Sequence, residues 1–81
     1  MDLCKLTQHD RNALLEFEVV YDEWRQATDA WLAAEVLLWT EALQAPGSPQ
    51  LAGLGNEAAR LRKVARRTYL RVIDALVRTS A

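Results

Sequence analysis

Only one cysteine, Cys4, occurs in the 81 residues. An internal disulfide is therefore excluded, and so is a cysteine-built metal cluster. Histidine is as scarce: His9 stands alone. The Glu-x-x-His pattern that di-iron bundles place on paired helices is absent. The two prolines and three glycines all fall between positions 46 and 55. Elsewhere the chain lacks the residues that most often break a helix. Long hydrophobic runs are also missing. The longest, Trp31 to Trp39, is interrupted by Glu35, whereas a membrane helix needs about 20 apolar residues. No membrane partner is expected. The start, Met1-Asp2-Leu3-Cys4-Lys5-Leu6, is not a basic region followed by an apolar run, so no secretory signal is read there. A cytoplasmic setting is the expectation. No glycine-rich phosphate loop, Ser-His-Asp set or catalytic carboxylate pair occurs. The expectation is a protein without catalysis, cofactor or metal.

What is present is a division of charge. Residues 1–45 carry nine acids against three bases, and residues 46–81 carry two acids against seven bases. The halves are −6 and +5, which gives the net −1 of the whole. With so little net charge, any affinity for nucleic acid must come from a local patch. Pro46-Gly47-Ser48-Pro49 separates the halves, as if two oppositely charged helices fold back on each other. Eight arginines to two lysines, with abundant alanine, suit a GC-rich bacterial genome.

From Gln8 to Ala45 there are 38 residues without glycine or proline, rich in Ala, Leu, Glu and Gln. This predicts one long helix, about 57 Å at 1.5 Å per residue. Thr7 is placed to cap it, with Asp10 in the first turn. Leu14, Phe17, Val20/Tyr21, Trp24, Ala27, Trp31, Ala34, Leu38, Ala42 and Ala45 recur at steps of three or four, an apolar stripe. Ser48 followed by Pro49 reads as a cap and a first-turn proline. Gly53 and Gly55 weaken the next two turns, so a second helix starts either at Pro49 or near Asn56. The start at Pro49 is favoured, because Leu51 and Leu54 already fit the heptad of Ala58, Leu61, Ala65, Thr68, Val72 and Ala75.

The expected fold is all-α. It is a long antiparallel two-helix hairpin forming one domain over residues 1–81, with helix 1 about 8–45, turn 46–49 and helix 2 about 50–79. One seam encloses no core, and small chains need a staple or an oligomer to be stable. Val36, Leu37 and Trp39 on helix 1, with Leu70, Ile73 and Val77 on helix 2, remain outside the seam. A homodimer closing a four-helix bundle uses them.

Three motifs carry chemistry. Glu35 lies between Trp31 and Trp39 inside the apolar stretch, where a carboxylate needs a partner. If the hairpin turns near residues 47–48, position i faces about 95 − i, and Glu35 faces Arg60. This predicts a structural Glu35–Arg60 pair, or a ligand site made of Trp31, Glu35, Trp39 and Arg60. Second, Arg60, Lys63, Arg67, Arg71 and Arg78 share one side of helix 2 with Arg62 and Arg66 nearby. Like charges at i,i+4 repel, so the stripe needs acids from helix 1, from a second chain, or from nucleic acid or another acidic partner. Lys63, Arg67, Arg71 and Arg78 are its candidate contact residues. Third, Trp24, Trp31 and Trp39 fall on one side of helix 1 and are expected as core or interface anchors. A metal or redox role for Cys4 with His9 has no supporting partner. The expected function is a scaffold, adaptor or regulatory protein acting through protein contacts. The alternatives are a nucleic-acid-binding regulator using helix 2 and a small-molecule binder around Glu35.

Overall fold

The computed structural model describes residues 8–80. It contains α1, Gln8–Gln44, and α2, Gln50–Ser80, packed antiparallel on each other. Thr7, Cys4 and the His9 side chain lie outside the described residues, and with them the expected cap and any Cys4–His9 site. Asp10 stands in the first turn of α1 and Arg78 in the last turn of α2, as the helix dipole favours.

The turn is built from the residues that punctuate the sequence. The Ala45 N–H donates the last helical bond to the Glu41 carbonyl at 2.7 Å. The Ser48 N–H then donates to the Ala45 carbonyl at 2.9 Å. This closes a β-turn with Pro46 and Gly47 at its centre. Gly47 has no positive φ, so the turn is of type I, with proline at the position that its fixed φ suits. Ser48 caps α2: its Oγ accepts from the Gln50 N–H at 3.1 Å. Helix α2 runs through Gly53 and Gly55 without a break, and neither adopts positive φ.

The molecule measures 60 × 19 × 13 Å, a slab one helix thick. Its seam is made of small residues. Val20 and Ala34 on α1 and Ala58, Ala65, Val72 and Ala75 on α2 are buried. Among the described residues no large side chain is fully buried. That follows from geometry: two helices make one line of contact, and a long side chain starting on that line must emerge at its edge. Phe17, Trp24, Trp31 and Leu38 are accordingly half-buried. Leu14 and Tyr21 depart from the expected stripe, at 40% and 44% exposed, and Trp39 at 62% exposed is no core anchor. The Thr68 hydroxyl, at a seam position, is shared between the carbonyls of Val64 at 3.1 Å and Ala65 at 2.9 Å. Its polarity is satisfied within its own helix.

The register is marked by one ion pair across the seam. Arg71 Nη1 lies 2.7 Å from Glu23 Oε2, which is its counterpart to within one residue of the 95 − i rule.

Candidate functional site

The two edges of the seam differ in chemistry. One edge is aromatic. Phe17 stacks on Tyr21 at 5.9 Å, Tyr21 meets Trp24 edge-on at 5.5 Å, and Trp24 lies 6.1 Å from Tyr69 across the seam. Trp24, Thr28 and Trp31 of α1, with Arg62, Arg66 and Tyr69 of α2, line an open groove of about 310 Å³. The Thr28 hydroxyl is buried here without a hydrogen-bond partner, an arrangement that costs about 1–3 kcal/mol.

Glu35 continues this edge toward the turn. The Trp31 Nε1–H donates to Oε1 at 3.0 Å, and the Trp39 Nε1–H donates to Oε2 at 3.1 Å. Donors four residues before and four after thus clip one carboxylate along the helix surface. Indole is a donor only, so the carboxylate is satisfied without a cation. It also holds the Trp39 ring in place on the outside of the hairpin.

The expected Glu35–Arg60 pair is not formed. Arg60 Nε donates to Glu57 Oε2 at 3.0 Å on its own helix, and Arg60 Nη2 donates to Oε1. Glu35 and Arg60 do stand at the same height along the rod. They lie on opposite edges, because Arg60 is turned about 200° from Arg62 at 100° per residue, and it is Arg62 that shares the groove with Trp31. The structure therefore brings Trp31, Glu35 and Trp39 together and leaves Arg60 out. The Arg60 guanidinium holds the Glu57 carboxyl below its usual range through their hydrogen bond, and Glu57 raises Arg60 in return.

The opposite edge is charged. Glu23 binds Arg71, and Glu16 joins Arg71 and Arg78 in lining an open hollow of about 680 Å³. Arg78 also pairs with Asp74 at 3.3 Å. The basic stripe is thereby split. Arg60, Arg71 and Arg78 are neutralised within the chain. Lys63 and Arg67 have no ion pair among the described residues, and neither have Arg62 and Arg66. All four side chains are exposed. The open basic patch is therefore Arg62, Lys63, Arg66 and Arg67, a shorter set than the stripe. Arg62 and Arg66 stood beside the expected contact residues, not among them. The signal that finds them is the rotation per residue taken together with the pairing rule.

The charge division of the two halves is thus realised across the seam by a single ion pair among the described residues. No group of three His, Cys, Asp or Glu placed to hold a metal occurs among those residues. Neither helix is long and apolar enough to cross a membrane.

The class these features define is a two-helix antiparallel hairpin with one aromatic and one charged edge. No protein family matches the chain, and no curated protein or solved structure is detectably similar to it.

Proposed function

We propose that this protein is a small helical scaffold, adaptor or regulatory module that works by protein–protein contact and not by catalysis, with a second copy of itself as its first partner in a four-helix bundle. The observation that carries the reading is apolar surface. Fourteen large apolar side chains of the described residues are exposed, on a slab only 13 Å thick. Surface of that extent, rimmed by charge, marks an interaction face. A single cysteine instead of a disulfide framework suits a reducing, cytoplasmic setting for it.

A second reading is favoured by one observation, the four cations Arg62, Lys63, Arg66 and Arg67 that no acid of the described residues neutralises. They would bind a phosphate backbone, with the salt dependence that counterion release imposes. Native mass spectrometry at micromolar chain concentration decides between the two, run with and without a short RNA or DNA duplex. The protein-contact reading expects a dimer or higher oligomer with or without nucleic acid. A stable monomer that shifts only when the duplex is added overturns it in favour of the second.

A further inference from the structure

The buried and half-buried seam positions keep a 3-4 spacing from Ala13 to Glu41 on α1 and from Leu51 to Ala75 on α2. The same side of each helix therefore follows the seam along the whole rod. Beside the seam on the aromatic edge stand Leu14, Tyr21, Glu35 and Ala42 of α1, at multiples of seven residues. Arg62, Tyr69 and Leu76 hold the same place on α2. About 50° further round, on the same flat side of the slab, come Leu32 and Trp39 of α1 and Ala52, Ala59, Arg66 and Ile73 of α2. Leu14, Tyr21, Leu32 and Trp39 are all exposed here, and so are Tyr69, Ile73 and Leu76. On the opposite flat side the exposed large apolar residues are Val19 and Leu37.

The charge division of the sequence returns on the aromatic side. α1 brings Glu18 and Glu35 to it, with Arg25 already tied to Asp22. α2 brings Arg62 and Arg66, which have no ion pair among the described residues. On the other side, Arg60, Arg71 and Arg78 already have acids.

Resting on the protein-contact reading above, the geometry points to a second copy of the chain stacked on the aromatic side, its long axis in the same direction. The two-fold axis runs along the rod between the two slabs. Such an axis lays α1 on the partner's α2 and leaves every level unchanged. By the register that Glu23 and Arg71 set, Trp39 then falls between the partner's Ala52 and the partner's Ala59. Tyr21 falls on the partner's Ile73. A bulky ring thus meets small residues near the turn, and apolar meets apolar toward the open end. Glu35 comes within three residues of the partner's Arg62, about 4.5 Å of rise. Each Glu35 oxygen accepts one indole N–H and keeps a lone pair for a guanidinium.

Charge selects this direction. A two-fold across the rod lays α1 on the partner's α1 and α2 on the partner's α2. Overlapped along its full length, that pair sets Arg62 and Arg66 against the partner's Arg66 and the partner's Arg62 to within a turn, four cations without an acid. Same-direction stacking puts the acidic helix on the basic one instead. The seven exposed side chains present on the order of 600 Å² per chain, and half-buried Trp24 and Trp31 add to it. A stable interface covers roughly 800 Å² per partner.

Single-cysteine chains test the stacking. Ala42→Cys and Ala52→Cys are made separately in a Cys4→Ser background, refolded together from urea and oxidised with copper phenanthroline. Ala52 is exposed and Ala42 half-buried, and each change adds one sulfur atom. The two positions stand at one level by the same register, so an Ala42→Cys chain should link to an Ala52→Cys chain. Like should link little to like, because the axis sets identical residues diagonally across the bundle. Sedimentation equilibrium gives a second reading. Trp39→Ala, at a side chain 62% exposed in the hairpin, should raise the dimer Kd by about thirtyfold or more. Arg62→Glu should raise it by about tenfold or more. A dimer that gives no mixed product, or is indifferent to either substitution, overturns this face and direction while leaving the protein-contact reading standing. A chain that stays monomeric removes the reading itself, and the stacking with it.

Discussion

Replacing Gly53 and Gly55 by alanine should stabilise the protein, and the size of the effect can be worked from the structure. Both glycines sit inside α2, within its first two turns. Neither has positive φ, and a Cβ built on either meets no atom within 4 Å. Nothing in the native state therefore opposes the side chain. The gain comes from the helical preference of alanine and from the reduced freedom of the unfolded chain, about 1 kcal/mol per site. Side chains two positions apart on a helix do not face each other, so the gains should add to about 2 kcal/mol. For a chain of this size that corresponds to a rise in Tm of roughly 8–16 °C. Circular dichroism during heating and in urea measures it, at one fixed chain concentration because association also stabilises. If either alanine is neutral or destabilising with an unchanged m-value, the start of α2 is not the continuous helix described.

The remaining predictions concern the two edges of the seam. Removing both indole acceptors with Glu35→Ala should cost about 1–2 kcal/mol, and Glu35→Gln, which keeps one acceptor, about half of that. Urea titration followed by tryptophan fluorescence reads both, and Glu35→Gln matching the parent protein in stability and emission would show that the clip contributes nothing. A double-mutant cycle on Glu23→Ala and Arg71→Ala should give a coupling of about 0.2–1 kcal/mol at low salt. The coupling should fade at 1 M salt, where the screening length is about 3 Å. No coupling at low salt would mean that packing alone sets the register.

The seam was legible in the sequence because a heptad reports which residues share a line. Ala58, Ala65, Val72 and Ala75 follow from spacing alone, and all four are buried. The Ser48–Pro49 cap was legible for a local reason, since a hydroxyl followed by proline has few other uses at a helix start. The environment of Glu35 was not. The pairing rule gives height along an antiparallel hairpin, and height alone sets Glu35 opposite Arg60. Which edge each side chain occupies depends on rotation about its own helix, and there Arg60 and Arg62 part company. Trp39 was expected both in a row with Trp24 and Trp31 and outside the seam, and its exposure bears out the second. Its spacing from Trp31 suggests a shared stripe, but eight residues rotate a side chain about 80° further round the helix than the start. That is enough to carry it off a seam that two helices make only one line wide.

The Ala45–Ser48 turn has a consequence for how the chain acquires its shape. In an antiparallel hairpin the chain length between facing residues grows steadily with distance from the turn. Closing the first contacts, near Ala45 and Leu51, ties off a very short loop, and each later pair adds little to the entropy already lost. In loop entropy the least costly order of assembly is a zipper that starts at the turn and runs toward Gln8 and Ser80. Contacts this local favour fast folding. Gly53 and Gly55 sit at the first teeth of the zipper, where the helix is intrinsically weakest. The same two glycines that lower equilibrium stability thus also set the height of the first step, and the rod opens most readily from the end opposite its turn.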